Sequence, residues 1–345
     1  MAKKGQLRGA LLEEVIMVLL RGSGYVPVVD KGNDLTLSTC AAGLQVRGRG
    51  TAHQIDAIAD FTIPQPFTNP QRLLVEAKAH DKVRKIGLDV VRNAVGVLKD
   101  VNEFWRVDGQ NPAGRARFHY QAAIFSTSGF SSNAQHYAFA QDVYLLPLKR
   151  SAHLTPVLNA LSQVSNVLAD DPTATRIREL RKQFRAAMHG EDGETDEALQ
   201  PLLNACRTFS NALLGMIAGR FPVFLVPIQP ESIENLDVTT RIRIHFDDQG
   251  WYIGLDGDER AFSFDLPDEL FQMYAVSGQL SRQEAVNMKG DLLQTITAFH
   301  IQDGRPRVIT LELDQHWLEA VQERIHTERR EEKQHFDLVE ENVDE

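Results

Sequence analysis

The stretch LLVEAKA, residues 73–79, constrains this chain more than any other. It is apolar and short, as a buried strand is, yet it carries an acid and a lysine two positions apart. Successive side chains of a strand alternate between faces, so Glu76 and Lys78 share one face while Val75, Ala77 and Ala79 share the other. A carboxylate and an ammonium on such a strand are costly to bury unless they pair or hold something. A second acid, Asp56, lies in a comparable apolar run (Ile55, Ala57, Ile58, Ala59) within GRGTAHQIDAIADF, residues 48–61. The Pro- and Asn-rich connector TIPQPFTNPQR joins the two runs. The pattern predicts two buried strands that deliver acidic groups to one place.

The surrounding pattern supplies a sheet for them. Residues 7–22 (LRGALLEEVIMVLLRG) have helical length and apolar residues around most of the circumference, so the helix is largely buried. Within it Glu13 and Glu14 need a reason, and at least one should reach solvent or turn toward a cationic site. YVPVV reads as a strand, and KGNDLTLSTCAAGLQVRGRG as a loop or hairpin leading to the Asp56 strand. After Lys78, Val90, Val91, Ala94, Val95, Leu98 and Val101 recur at helical spacing, giving an amphipathic helix. Next come a strand over 119–126, a turn at Ser128-Gly129, a short helix capped by Ser131 or Ser132, and a strand at DVYLLPL. Strands alternating with helices to Leu148 argue for an α/β domain with a mixed central sheet flanked by helices.

Beyond Ser151 the pattern becomes helical: LTPVLNALSQVSNVLA, the basic TRIRELRKQFRAAM, and ALQPLLNACRTFSNALLGMIAG. Strands follow at FPVFLVPI, at TTRIRIHFDD and GWYIGLDG as a hairpin around Asp248-Gln249-Gly250, and at AFSFDL. Helices are expected near 267–274 and 281–299, a last strand at RVITLELD, and a charged helix fraying into an acidic tail. The expected domains are therefore 1–150, a helical segment 151–220, a smaller α+β domain 221–325 and a tail 326–345. No internal repeat and no GxxxxGK phosphate loop occurs, so any nucleotide hydrolysis that drives this system is on another chain.

Composition narrows the function classes. Of 345 residues 43% are apolar, enough for a substantial core. Cys40 and Cys206 lie far apart with no CxxC spacing, which argues against a disulfide framework or a zinc site and fits a reducing cytoplasm. The basic start MAKKGQLRG is followed by Glu13 and Glu14 without a cleavage site, so it is not read as a secretory signal, and no apolar run is long enough to span a membrane. The net charge of −10 hides an asymmetry. Residues 1–150 hold 19 Lys and Arg against 13 Asp and Glu, whereas residues 151–345 hold 18 against 34. The first half is suited to a polyanion and the second is not. Lys85, Arg92 and Lys99, spaced by seven residues along the outer side of the second helix, could sit on phosphates, and Arg49 is a further candidate for DNA contact. A solvated helix face is the competing reading of that stripe.

Two carboxylates and a lysine are what a magnesium-dependent phosphodiesterase needs, and the residues also carry a family likeness. Leu12-Glu13 with the following apolar helix and Gly24-Tyr25, GRGTAHQIDAIAD, LLVEAKA, KIGLDVVRNAVGVLKD and AAIFSTSGFSSNAQHYAFAQDVYLL stand in order. In this the chain resembles the Mrr-type restriction endonucleases of the PD-(D/E)XK superfamily over about residues 10–148. It departs from them in having Ala77 between acid and lysine and a long connector before Leu73. The E-x-K pattern alone is not specific, since Glu331-Glu332-Lys333 matches it too.

The resemblance implies a restriction-endonuclease-like fold and a DNA endonuclease of prokaryotic defence. Asp56 and Glu76, with the carbonyl of Ala77, would hold Mg²⁺, for which Mn²⁺ can substitute. Lys78 would orient or deprotonate a water or stabilise the phosphorane. Glu13 would complete the acidic cluster, directly or through water, with Glu14 as its alternative. Apart from the resemblance, Gln54, just before Asp56, is read as a residue that could position a water or a phosphate. The competing reading of Asp56, Glu76 and Lys78 is a buried salt bridge without a metal. His53 and His80 are read as solvent-facing, and Thr127 and Ser128 as capping their turn rather than touching DNA. Expected partners are double-stranded DNA, a second copy of the chain, because cutting both strands takes two centres, and an ATPase or helicase; no membrane is expected. The alternative function is a non-catalytic DNA-binding or assembly subunit that keeps the fold. A weaker reading makes residues 221–325 a ligand sensor.

Overall fold

A computed structural model of the protein describes residues 2–40, 43–63, 67–80, 84–104, 106–107, 115–149, 153–168, 173–191, 193–209, 211–234, 236–247, 250–266, 270, 281–302 and 305–341. The chain divides into two compact units, one of residues 1–214 with 299–307 and one of residues 215–298 with 308–345.

The first unit opens with α1 (Ala2–Arg21) and β1 (Tyr25–Pro27). A small antiparallel sheet follows, of β2 (Leu37–Cys40), β3 (Gly43–Arg47) and β4 (Ala52–Gln54). Then come β5 (Ala57–Phe61), β6 (Gln71–Lys78), α2 (Leu88–Asn102) and a two-residue pairing of β7 (Arg106–Val107) with β8 (Arg115–Ala116). The last elements of the α/β part are β9 (His119–Ser126), α3 (Ser132–Ala140) and β10 (Val143–Pro147). The central sheet runs β1-β5-β6-β9-β10. Its first two pairings are antiparallel and its last two parallel, so the sheet is mixed as the alternation predicts. Parallel neighbours need a crossover, and α2 and α3 provide one each. Val91 and Val95 of α2 pack with Ala122, Ile124, Val143 and Leu145 of the sheet and Ala134 of α3. Each such fully buried valine or leucine stabilises the fold by about 1.5–3 kcal/mol.

Local signals explain the shape near the site. GRGTAHQIDAIADF is one strand by pattern but two in the structure. β4 pairs with β3 in the small sheet and β5 with β6 in the central one, and the chain bends between them at Asp56. The second helix starts at Leu88, after Gly87 in extended conformation, so Lys85 lies outside it. Gly129 takes φ +80°, a left-handed turn that favours glycine. Ser131 accepts from the amide of Ala134 at 3.3 Å and starts α3. Within the stretch that the sequence sets apart as 151–220 lie α4 (Thr155–Val167), α5 (Ala174–His189) and α6 (Gln200–Phe209), which pack against α1.

The second unit is built on a closed barrel, which makes it α+β. The barrel's strands are β11 (Leu213–Ile217), β12 (Phe221–Pro227), β13 (Thr239–Asp247), β14 (Gly250–Leu255), β15 (Asp258–Phe264), β16 (Thr295–Gln302) and β17 (Arg305–Leu313), of which residues 213–214, 299–302 and 305–307 are counted with the first unit. They close in the order β11-β12-β15-β14-β13-β17-β16. Among the described residues, helices α7 (Glu231–Glu234), α8 (Arg282–Leu292) and α9 (Gln315–Glu341) accompany it. Two expected helices end early. α6 stops at Phe209 and LLGMI becomes β11, a short apolar run that periodicity alone cannot assign. α8 stops at Leu292 and the β-branched Thr295, Ile296 and Thr297 begin β16. The expected turn at 248–249 and most of the expected helix at 267–274 lie outside the described residues.

Candidate active site

The antiparallel register of β5 on β6 sets Ala57 opposite Val75, which brings Asp56 beside Glu76 at one end of the pair. The carboxylate of Asp56 accepts a hydrogen bond from the backbone N–H of Ala77 at 2.9 Å. That bond fixes the acid at the strand that carries the E-x-K pattern. Glu76 and Lys78 share a face of β6, and Lys78 Nζ donates to a carboxylate oxygen of Glu76. Both are about a quarter exposed, so the pair is neither free in water nor sealed from it.

Glu13 arrives from α1. Burial raises its carboxyl to about 7, the neighbouring Arg181 works against that rise, and the charges of Asp56 and Glu14 add to it. Asp56 is raised too, by burial first and by Glu76 second, against the Ala77 N–H, Lys78 and Arg181. Asp56 therefore feels Glu76 and Lys78 from β6 and Arg181 from α5, and its own charge reaches Glu13 on α1. Of the two adjacent acids on α1, Glu14 is the buried one, at 2% exposure, and two arginines hold it. Burial raises an acid because water no longer stabilises the charged form, and a second acid nearby does the same by repulsion.

The donor chemistry suits a hard divalent cation: three carboxylates and the carbonyl of Ala77 offer oxygen donors. In the structure each carboxylate already has a protein partner, Glu76 in Lys78, Glu13 in Arg181 and Asp56 in an amide. Among the described residues no three or more His, Cys, Asp or Glu side chains are gathered as a cation site.

The other residues singled out by sequence fall in several places. Gln54 is exposed at the end of β4, across from Gln45. His53 is not solvent-facing as expected: its Nε2 lies 2.7 Å from Asp100 Oδ2. Asp100 also accepts from the amides of Gly50 and Thr51, and the His53 contact first, then these amides, holds its carboxyl below the usual range. That cluster clamps the 48–51 turn to α2. Thr127 donates to the carbonyl of His80 at 2.8 Å, and its amide donates to that of Lys78 at 3.0 Å. With Ser128 only 3% exposed, these residues hold the turn. Arg92 and Lys99 lie exposed on α2, Arg92 over the Tyr137 ring at 5.8 Å, and Lys85 lies exposed before the helix. Arg49 pairs with Glu103 at 2.7 Å beside the end of α2.

Sequence reasoning missed two sets of arginines. Arg72, 2% exposed, donates to Asp60 at 2.6 and 2.8 Å, pairs with Asp34 at 2.8 Å and stacks on Phe118 at 3.6 Å. The cross-strand register Asp60↔Arg72 is its signal, visible only once β5 and β6 are paired. Arg181 and Arg185 lie four apart on a basic helix, and nothing local ties them to Glu13 and Glu14.

No protein-family model matches the chain, and no curated protein does. Three solved structures are similar over part of it. A protein of unknown function, AF1548, is 16% identical with a TM-score of 0.30, covering 58% of this chain and 97% of that one. The DNA modification-dependent restriction endonuclease AspBHI is 15% identical with a TM-score of 0.26, covering 54% and 41%. MspJI restriction endonuclease, in complex with a 27-mer oligonucleotide, is 14% identical with a TM-score of 0.27, covering 57% and 35%. Similarity of this order assigns neither a family nor an activity. Among the described residues no helix is long and apolar enough to cross a membrane.

Proposed function

We propose that this protein is a divalent-cation-dependent endonuclease that hydrolyses phosphodiester bonds of double-stranded DNA. One observation carries the reading: the hydrogen bond from Ala77 to Asp56 sets a second acid beside the Glu76-x-Lys78 strand, within electrostatic reach of Glu13. The ordered motif blocks and the basic first half support it. Asp56, Glu76, the Ala77 carbonyl and Glu13 would hold Mg²⁺ or Mn²⁺. When bound, the ion would neutralise charge at the scissile phosphate and acidify a water. Lys78 Nζ, with three donors, would turn from Glu76 to orient the attacking water and to offset charge on the phosphate oxygens. Gln54 would hold a water or a phosphate at the rim. Lys85, Arg92, Lys99 and Arg49 would meet the DNA backbone, which positions the duplex without reading its sequence. Two copies would be needed to cut both strands, and an ATPase or helicase partner in a prokaryotic defence system would supply control.

A second reading, a non-catalytic DNA-binding or assembly subunit, is favoured by the protein partners that Glu76 and Glu13 already have. Supercoiled plasmid incubated with Mg²⁺, with or without EDTA, separates the two when a gel-shift assay runs beside it. The nuclease reading expects nicking that EDTA and Lys78→Ala abolish while DNA binding persists. DNA binding without nicking in any divalent metal would support the subunit reading.

A further inference from the structure

The acidic cluster contains a cation that the proposed chemistry does not call for. α5 begins at the Thr173 cap and ends at Gly190, in left-handed conformation. Arg181 and Arg185 lie four residues apart and so on one face of it. Both reach the buried Glu14. Arg185 donates to both of its oxygens, with Nη2 2.6 Å from Oε1, and Arg181 Nε donates to Oε1 at 2.6 Å. A carboxylate at 2% exposure needs such partners, and Arg185 alone supplies a two-pronged contact. Arg181 goes further. With its Nε fixed on Glu14, its Nη2 lies 2.8 Å from Glu13 Oε2, and its charge also reaches Asp56. A latch between α1 and α5 would not require that second contact, and the contact puts a fixed positive charge on Glu13 and within electrostatic reach of Asp56, two of the acids assigned to the metal.

Resting on the nuclease reading, we propose that Arg181 is a resident counter-ion that competes with the divalent cation for the Glu13 and Asp56 side of the cluster, so that the seating of α5 governs metal loading. With α5 seated, the guanidinium offsets the acids and metal affinity is low. When α5 shifts, Glu13 and Asp56 lose their cation and take up the metal. The helical stretch thereby restrains an enzyme whose unchecked activity would damage the DNA of its host. Guanidinium suits this role because it stays charged and grips two carboxylates through separate N–H groups.

The test is Mn²⁺ binding by the full chain, read from the electron paramagnetic resonance signal of free Mn²⁺ at constant ionic strength. Taking a unit positive charge from a few ångströms beside a divalent ion in a half-buried site is worth about a factor of ten or more. Arg181→Gln should therefore bind Mn²⁺ at least about tenfold more tightly than the wild type, and Asp56→Asn should weaken binding in either background. If the wild type binds, Asp56→Asn weakens it and Arg181→Gln leaves affinity unchanged or lower, the competition is overturned while the metal site stands. If neither wild type nor Arg181→Gln binds Mn²⁺, the metal site falls and the competition with it. A second measurement does not depend on how the variant folds. Hydrogen–deuterium exchange of wild-type residues 174–189 should speed up on saturation with Mn²⁺, and unchanged or slower exchange would overturn the proposal.

Discussion

Between pH 4.5 and neutrality the metal-free protein should lose stability as the carboxyl of Glu13 ionises. Burial raises this group from its ordinary 4.5 to about 7, against the opposing pull of Arg181. Below pH 4.5 folded and unfolded chains both carry the proton. Between the two values only the folded chain keeps it, so folding takes up a proton and stability falls as the pH rises. Above about 7 neither state keeps it and the loss is complete. Each pH unit across the interval is worth about 1.4 kcal/mol, so the full effect is about 3 kcal/mol. Glu13→Gln cannot ionise and should lack this component. Urea unfolding of both proteins in EDTA at intervals from pH 4.5 to 8 leaves the Glu13 component, with its coupling to Asp56, as the difference between the two profiles. The stability of the wild type relative to Glu13→Gln should fall steadily by about that amount as the pH rises. Parallel profiles, or a wild type that gains on the variant with rising pH, would refute the assignment of a partly buried, proton-holding acid within electrostatic reach of Asp56.

Arg72→Met should cost about 3–5 kcal/mol in urea unfolding, because it leaves Asp60 and Asp34 without their shared guanidinium; a loss under about 1 kcal/mol would mean that solvent already serves those acids. At Gly48 an added Cβ would stand 1.9 Å from Asp100 Oδ2 and 2.8 Å from the Thr51 carbonyl oxygen. Gly48→Ala should therefore displace the carboxylate that holds the 48–51 turn and destabilise by about 1–3 kcal/mol, and a wild-type melting curve would contradict this. Arg92→Ala with Lys99→Ala should weaken duplex binding regardless of sequence and flatten its salt dependence by about one phosphate contact each, read from affinities at several salt concentrations. An unchanged slope would return that helix face to solvent.

Much of the first unit was legible because its strands and helices carry unambiguous periods. His119–Ser126 reads as one apolar run and is one strand, and the valines of α2 mark the face that packs on it. The pairing of Asp56 with the E-x-K strand was legible for the same reason, since both acids interrupt runs that must be buried. The bend at Asp56 was not, because its cause is a choice of sheet: β4 pairs with β3 and β5 with β6. The barrel was obscured by short apolar runs such as Leu213–Ile217, which suit a helix end and a buried strand equally. Arg181 was out of reach for a different reason. It lies 168 positions from Glu13, and a basic helix gives no sign of which buried acid it will meet.

The central claim is that Asp56 and Glu76 act together on a divalent ion beside a scissile phosphate. The most direct measurement is the rate at which purified wild type, Asp56→Asn and Glu76→Gln nick supercoiled plasmid in Mg²⁺, each confirmed folded by its melting curve. Metal-dependent nicking by the wild type that falls by about a thousandfold or more in both variants is the predicted result. Folded variants that nick as fast as the wild type would contradict it and place any nicking outside this cluster.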